Sequence, residues 1–325
     1  MDKNIREYIS SPEALCSARL DEICEGAGRG SRIIQVSNGS GLEFTVCPDR
    51  ALDIVECRFK GINVAFTTPS GYVAPGRCEH QGFLWLRGWQ GGLMTTSGLR
   101  NSGVPSGDQG LHGRASAQQT ENLSISRTED GLGIIISGEW REAAMFGENL
   151  RLRRTITTAW QDNSITLRDE IVNMAAKDDH LQLLYHCNFG YPFVSPALQF
   201  HFPEHDVVPR DPVAAAGLDS WDKMGPPTPD FAEQCFFHKL PADSEKIARL
   251  AVSNPEVGIR MEMEYSADTL PNFVQWKNCL SRLYVLGLEP GNVSLQGREA
   301  DIASGQAPKL APDETVRTML RFKFS

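Results

Sequence analysis

The sequence contains no long apolar run. Its longest apolar stretches fall far below the ~18 residues that a membrane-spanning helix needs. The opening MDKNIREYISSPEAL carries charges throughout and has no apolar segment of the kind found in secretory signal peptides. We therefore expect a cytoplasmic protein with no membrane partner.

Positive charge is also scarce. The chain of 325 residues has 32 Lys and Arg against 41 Asp and Glu, which gives a net charge of −9. Apart from the alternating RLRR at Arg151 to Arg154, there is no run of basic residues. This balance opposes binding to a phosphate backbone, so we expect no nucleic-acid partner.

Paired cysteine motifs are absent as well. None of the eight cysteines stands in a CxxC spacing, which excludes a zinc ribbon and a thioredoxin-like motif. Free thiols in a reducing compartment are therefore expected. Apolar residues make up 41% of the chain and charged residues 22%, values that are ordinary for a packed globular protein.

Helical periodicity is rare, and β-type patterns take its place. Residues 32–66 form short β-rich runs separated by turn signals such as Asn-Gly and Lys-Gly. Farther along, period-two alternation places Leu150, Leu152 and Arg154 on one side of a strand. These patterns predict an all-β fold built as a sandwich or barrel. Because no internal repeat or low-complexity linker divides the chain, we predict one domain over residues 1–325.

Four segments depart from the strand pattern. Residues 12–23 and 244–250 are the best candidates for short helices, although the first could equally be a strand. Residues 82–116 are dense in Gly and polar residues yet contain two tryptophans, and residues 203–229 are rich in Pro and Asp. Long ordered loops on a β scaffold often carry binding sites, so we expect the site near these two stretches.

Three motifs contain residues that can exchange protons. His112 lies in GLHGRAS between Gly110 and Gly113, where the backbone can approach a ligand closely. His186 follows an apolar strand end in LLYHCNFGYP, and Glu289 ends the apolar run of YVLGLEPGN. A carboxylate at the end of a buried strand is costly unless it is paired or hydrated. Taken singly, each histidine is better explained as a hydrogen-bonded structural residue, and Glu289 is equally explained as a strand-end residue turned to solvent.

Together the three motifs resemble those of galactose mutarotases, the aldose 1-epimerases. LLYHCNFGYP resembles the HxYFNL segment of that family, VLGLEPGN its strand with the catalytic glutamate, and GLHGRAS its first histidine motif. They occur in the same order along the chain. The closing LAPDETVRTMLRFKF is similar to the family's final strand, with Asp313 where Gly is usual. The resemblance suggests a divergent bacterial branch of the superfamily.

The resemblance implies a large antiparallel β-sandwich with an open groove, in which the anomers of an aldose interconvert without cofactor or metal. Opening the sugar ring requires a base for the anomeric hydroxyl and an acid for the ring oxygen. We expect an ionised Glu289 as the base and a protonated His186 as the acid, on opposite sides of the sugar. His112 would donate a hydrogen bond near the ring oxygen.

The sugar itself is less well defined. Arg114 and Arg87 are candidates to bind its hydroxyls or an acidic group, and Trp276 is a candidate to stack on its apolar face. The family's substrate-binding aspartate has no secure match, with Asp219 and Asp222 both eligible. We expect a small carbohydrate as the binding partner of a monomer or homodimer.

Two other functions remain open from the sequence. A sugar-binding or regulatory module could keep the fold without turnover. A metal-dependent sugar isomerase or lyase could use His112, His186 and Glu289 as ligands, although no HxH spacing supports it. A glycoside hydrolase would call for two catalytic carboxylates, and the sequence nominates one.

Overall fold

Most of the regular structure in the computed structural model, which describes residues 5–325, is β-strand. The strands, in chain order, are β1 (Ser17–Glu22), β2 (Arg32–Ser37), β3 (Leu42–Cys47), β4 (Asp53–Phe59), β5 (Ile62–Asn63), β6 (Met94–Leu99), β7 (Glu121–Arg127), β8 (Gly133–Ala143), β9 (Asn149–Ala159), β10 (Asp162–Asn173), β11 (Asp179–His180), β12 (Gln182–Phe189), β13 (Gln199–His201), β14 (Val207–Pro209), β15 (Gln234–His238), β16 (Ile247–Asn254), β17 (Ile259–Ser266), β18 (Asn272–Leu280), β19 (Leu283–Gly291), β20 (Lys309–Leu310) and β21 (Thr315–Phe324). The α-helices are short: α1 (Trp85–Gly88), α2 (Pro212–Ala216) and α3 (Arg298–Ser304). The predicted all-β class is confirmed.

Two large antiparallel sheets contain nearly all of these strands. The first has 11 strands in the order β1-β2-β3-β4-β6-β12-β19-β18-β15-β14, with β5 paired to β4. The second has 8 strands in the order β13-β16-β17-β21-β10-β9-β8-β7, and β11 pairs with β20 in a small separate ladder. In the first sheet, β6, β12, β19 and β18 are adjacent although they come from distant parts of the sequence. This arrangement brings the three proton-exchanging motifs together.

The two sheets pack face to face over a shared apolar core. One contiguous cluster of buried side chains includes Ile34 and Ile54 from the first sheet and Leu152 and Phe322 from the second. Strand β9 shows the expected alternation, with Leu150, Leu152 and Arg154 all buried. The structure is therefore the antiparallel sandwich that the sequence predicts.

The centre of the first sheet departs from simple alternation. Every residue of β6 and of β12 is buried. One face of these strands lies on the core between the sheets, and on the other Thr95 and His186 contact Trp89, which lies in the segment of residues 82–116. That segment is thus only partly a loop, because it contains α1 and β6 themselves.

The structure has β-strand in both segments where short helices were predicted, residues 12–23 and 244–250. Residues 12–23 form a single 3₁₀ turn, Pro12–Ala14, followed by strand β1, the alternative allowed from the sequence. The helix predicted at residues 244–250 is wrong, because Ile247 begins β16, whose apolar residues pair with β17. The single domain over residues 1–325 stays a prediction, and residues 1–4 lie outside the described part. Within residues 5–325, no helix is long and apolar enough to cross a membrane.

Candidate active site

His112, His186, Trp276 and Glu289 all line one cavity of about 510 Å³ on the first sheet. The volume is within the range of small-molecule sites, about 300–1,000 Å³. The four residues come from three strands and one loop that are far apart in the sequence. Of the seven side chains nominated for the site from the sequence, these four are brought together.

Strand register places His186 beside Glu289. Leu184 of β12 pairs with Gly291 of β19, and Asn188 pairs with Gly287. In this antiparallel register His186 lies opposite Glu289, and opposed residues on neighbouring strands share a face. Its Nδ1 atom is 3.3 Å from Glu289 Oε1. The two groups therefore touch each other, and the expectation that they flank the sugar from opposite sides is wrong.

Gly287 makes room for the Glu289 carboxyl group. It precedes Glu289 by two residues and so faces the same side of β19. A Cβ atom at this position would collide with Glu289 Oε1 and would lie 2.9 Å from Trp276 Cβ. The lack of a side chain at Gly287 thus lets the Glu289 carboxyl group lie along the strand beside Trp276.

Asn188 fixes the orientation of the His186 ring. Its amide nitrogen donates to the carbonyl oxygens of Gly92, at 3.2 Å, and His186, at 2.8 Å. The amide oxygen therefore faces His186 Nδ1, at 2.6 Å, and Nδ1 carries a proton. The other ring nitrogen, Nε2, is left for a ligand in the cavity.

Glu289 has an unsatisfied oxygen despite being buried. Within residues 5–325, Oε1 has no hydrogen-bond partner, because the nearby His186 N–H is directed at Asn188. Native proteins rarely leave buried polar atoms unpaired, and exceptions occur preferentially at functional sites. Because Oε1 is enclosed by protein, the hydrogen bond to a bound molecule falls to the other oxygen, Oε2, which also has no partner within residues 5–325 but is not enclosed.

Burial acts against the charged form of both groups. The pKa of His186 falls from its ordinary value of 6.5 to about 4, because desolvation outweighs the hydrogen bond to Asn188. Desolvation also raises the pKa of Glu289 well above its ordinary value, with the Glu233 carboxylate adding to the rise and Arg210 opposing it. The expected pair of ionised Glu289 and protonated His186 therefore meets a desolvation cost on each side.

His112 is a neutral hydrogen-bond donor toward the cavity. Its Nδ1 accepts from the Gly103 amide at 3.4 Å and lies 3.1 Å from Ser97 Oγ, which places the ring proton on Nε2. Burial, with a contribution from His186, lowers its pKa well below the ordinary value. The flanking glycines do not open the backbone to a ligand as expected: a Cβ at Gly110 or Gly113 would collide with carbonyl oxygens of neighbouring loops.

Aromatic rings form the wall around these groups. Trp85 and Trp89 stack with ring centroids 5.0 Å apart, and Trp89 and Trp276 lie 5.0 and 5.6 Å from the His186 ring. Hydrogen bonds hold two of them: Trp89 Nε1 donates to Thr95 Oγ1 at 3.1 Å, and Trp85 Nε1 donates to Ser116 Oγ. Such fixed aromatic faces suit the apolar side of a sugar ring.

Sequence reasoning missed a group of charged residues in the cavity lining. Arg210, Asp211 and Glu233 also line the cavity. Arg210 donates to Asp211 at 2.8 Å and to Glu233 at 3.3 Å, and Glu233 accepts the Trp276 indole N–H at 2.8 Å. The available signal was the position of Arg210 and Asp211 inside the loop of residues 203–229. No pattern in the sequence pointed to Glu233.

Three nominated residues lie away from the cavity lining. Arg87 is exposed, because α1 buries Trp85 and Gly88 and turns Arg87 outward. Arg114 borders a neighbouring depression, where it lies 3.6 Å from Asp108. Asp222 is exposed after the 3₁₀ turn Leu218–Ser220. The alternative aspartate, Asp219, belongs to that same exposed turn.

The chemistry available in the cavity is proton exchange. A carboxyl group, an imidazole with a free nitrogen and a second imidazole that donates converge on one space. Within residues 5–325, no three His, Cys, Asp or Glu side chains are grouped so as to hold a metal ion.

Comparison with known proteins identifies the fold. A family profile described as a domain of unknown function (DUF4432) matches residues 28–324. No curated protein matches the chain.

Among solved structures, a candidate aldose 1-epimerase from Klebsiella pneumoniae has a TM-score of 0.89 at 24% identity, covering 95% of this chain and 83% of that one. A galactose 1-epimerase from Lactobacillus acidophilus has a TM-score of 0.62 at 13% identity, covering 95% and 98%. A galactose mutarotase-like protein from Clostridium acetobutylicum has a TM-score of 0.61 at 13% identity, with the same coverage. At these identities the likeness shows the fold alone, and the predicted galactose mutarotase-like fold is confirmed.

Proposed function

We propose that this chain, which belongs to the DUF4432 family, is an aldose 1-epimerase-like isomerase that interconverts the anomers of a sugar. The observation that carries the proposal is the contact pair of Glu289 and His186. The pair lines a cavity, has a free nitrogen on one side and includes an unpaired carboxyl oxygen on the other.

Direct contact between the two groups suits this reaction. The two oxygens that must exchange protons, the anomeric hydroxyl and the ring oxygen, are bonded to the same carbon. An acid and a base on adjacent strands can therefore reach both at once. General acid–base catalysis requires hydrogen-bond reach, about 2.6–3.2 Å, to each reacting atom.

The proposed steps conserve protons. Glu289 accepts the proton of the anomeric hydroxyl, the bond between the anomeric carbon and the ring oxygen breaks, and His186 Nε2 donates a proton to the ring oxygen. After rotation of the open-chain aldehyde, the hydroxyl returns its proton to His186 and attacks the other carbonyl face. Glu289 then protonates the new anomeric oxygen. His112 Nε2 donates a hydrogen bond near the ring oxygen.

The pair works as a unit that holds one transferable proton. Burial favours the neutral forms of both groups, a protonated Glu289 and an uncharged His186. For His186, the lowered pKa means that charging the buried ring costs roughly 3 kcal/mol. Attraction between the charged forms across 3.3 Å opposes this cost, on the order of 5 kcal/mol at an effective dielectric constant of about 20. His186 Nδ1, the nitrogen that faces Glu289, already carries the proton bonded to Asn188. The transferable proton therefore passes between Glu289 and His186 Nε2 through the bound sugar, and the pair can both accept and donate.

We also propose a compartment, a substrate class and an oligomeric state for the enzyme. It acts in the cytoplasm on a small carbohydrate, as a monomer or homodimer, without cofactor. Trp276 supports the sugar ring, and its indole is held in place by Glu233. Arg87, Arg114 and Asp222 were nominated for substrate binding, and their positions outside the cavity lining give that role no support.

Anomer exchange can be measured directly by NMR on a panel of aldoses. Exchange faster than in buffer, and slowed about 10²- to 10⁴-fold by Glu289→Gln, is the expected result. Sugar binding with no acceleration, unaltered by the same substitution, would instead favour a binding or regulatory module. Loss of activity on removal of a stoichiometric metal would favour the metal-dependent isomerase.

A further inference from the structure

The mouth of the cavity has an apolar wall that acid–base chemistry does not use. Phe83, Leu86 and Val104 all line the cavity, and they are 62%, 51% and 43% exposed. Deeper on the same lining lie Leu111 and Leu295. Large apolar side chains gathered at the mouth of a pocket usually mark a binding surface.

The charged residues of the cavity are hydrogen-bonded to one another and to their neighbours. Arg210 uses Nε on Asp211, one terminal nitrogen on Glu233 and the other on Cys235 Sγ. The second oxygen of Glu233 accepts from Trp276, and the second oxygen of Asp211 accepts from the Ala214 amide. Two N–H groups of Arg210 and one acceptor site on each carboxylate oxygen remain, so this charged group is where sugar hydroxyls can bind.

Few other polar groups face the ligand space. Apart from Glu289, His186 and His112, which serve the anomeric centre, Gln296 lines the cavity, and its side chain makes no hydrogen bond within residues 5–325. A sugar hydroxyl placed against Phe83 or Leu86 would gain no hydrogen bond from these side chains and would lose water on the side that contacts them, which is unfavourable. A methyl group in the same place would cover apolar surface and be favoured.

We infer that the substrate is a sugar bearing an apolar substituent, such as a deoxy methyl or O-methyl group, bound against Phe83, Leu86 and Val104. This inference rests on the proposed function and specifies its substrate class. The anomeric carbon lies at Glu289 and His186, the ring lies against Trp276, and the substituent lies at the cavity mouth. Phe83 and Leu86 are then specificity-determining residues.

Matched sugar pairs test the inference by NMR anomer exchange. The pairs are D-glucose with 6-deoxy-D-glucose, D-galactose with 6-deoxy-D-galactose, and D-glucose with 3-O-methyl-D-glucose. In at least one pair, kcat/KM should be about tenfold higher for the substituted sugar than for its parent, as one methyl group in an apolar pocket typically gives. Phe83→Ser with Leu86→Ser should bring that ratio close to one. Both side chains are more than half exposed, so the variant should fold.

Ile125→Ser is the matched control. Ile125 is an exposed apolar residue on β7 of the other sheet, and its replacement should leave the ratio unchanged. Accelerated exchange with equal values in every pair, or a preference for reducing disaccharides only, would overturn the inference while leaving the epimerase proposal intact. No acceleration with any sugar would overturn both.

Discussion

Tyr185 and His186 are neighbours on β12, yet they belong to two clusters of buried polar groups on opposite faces of the first sheet. Tyr185 points between the sheets, where its hydroxyl donates to Asp169 at 2.7 Å. His186 points into the cavity beside Glu289. Both clusters consist of buried ionisable groups, so burial alone does not separate structure from function.

In the cluster between the sheets, which contains Arg154, Asp169, Tyr185 and Asp53, nearly every polar group is hydrogen-bonded to another group of the protein. Every guanidinium nitrogen of the fully buried Arg154 has a partner: two bonds to Asp169, one to the Ala51 carbonyl and one to Thr96. One oxygen of Asp53 has no hydrogen-bond partner, but Arg154 lies 3.3 Å from the same carboxyl group. Such a network ties the two sheets together and needs no ligand.

In the cavity cluster, which contains His186, Glu289 and Asn188, only some of the polar groups have hydrogen-bond partners. Asn188 satisfies one nitrogen of His186, while Glu289 Oε2 and His186 Nε2 have no partner within residues 5–325 and remain for a bound molecule. Buried networks that are fully satisfied rigidify a fold, whereas unpaired groups with perturbed pKa values concentrate at functional sites. Asp53 also has an unpaired oxygen, but it lies between the sheets, so the difference teaches that unmet hydrogen-bonding capacity marks the site where the unpaired groups line a cavity.

Removing Arg154 should give the largest effect on stability. Arg154→Met leaves Asp53 and Asp169 buried without their cation, and the free energy of unfolding should fall by about 3–5 kcal/mol. Chemical denaturation measures this. Arg317→Met, which removes an exposed partner of Glu170, is the control and should cost less than about 1 kcal/mol. An equal fall in the free energy of unfolding in the two variants would show that the buried cluster stabilises the fold no more than an exposed ion pair does.

Asn188 should affect catalysis through His186. With Asn188→Ala the imidazole loses the acceptor that orients it, and kcat should fall about 10- to 100-fold. Because this hydrogen bond raises the pKa of His186, the acid limb of the pH profile should also move to lower pH. Asn254→Ala removes a buried asparagine that bonds Phe193 and Ser195. A similar loss of kcat in this control would mean that Asn188 acts only through stability.

The pH dependence of kcat/KM distinguishes the cavity pair from exposed groups. Activity requires one proton on the pair: a second proton removes the base, and loss of the last proton removes the acid. The second proton adds to His186, whose pKa is about 4, so kcat/KM should stay level from pH 6.5 down to near 4. The alkaline limb should lie well above 4.5, the ordinary value for glutamate. An activity that rises with an apparent pKa near 6.5 would contradict the burial of His186.

The smallest effects are expected at the nominated residues outside the cavity lining. Arg87→Ala, Arg114→Ala and Asp222→Asn should each change kcat/KM by less than about twofold, as is usual for surface positions away from a site. A tenfold fall in kcat/KM for any of them would show that the residue does bind substrate. The segment that carries it would then have to move on binding.

Much of the fold could be predicted from local patterns. Period-two alternation in β9 and β17 reflects strands with one buried face, and the structure shows it residue by residue. The helix predicted at residues 244–250 failed because pairing of β16 with β17 outweighs local helical preference.

The site was predictable in part. His186 and Glu289 stand in strands with recognisable motifs, and sheet register alone brings them into contact. Glu233 was not predictable, because only the pairing of β15 with β18 brings its loop beside Trp276. The protonation of the pair was not predictable either, since it depends on burial by residues from several distant segments.

The central claim is that Glu289 and His186 act as one proton-transferring unit, and a double-mutant cycle on anomer exchange tests it most directly. Glu289→Gln and His186→Gln should each lower the rate about 10²- to 10⁴-fold, and the double variant should be no slower than the slower single variant, since the residues of one unit are not additive. Losses that simply multiply, or a single variant that keeps the full rate, would contradict the account.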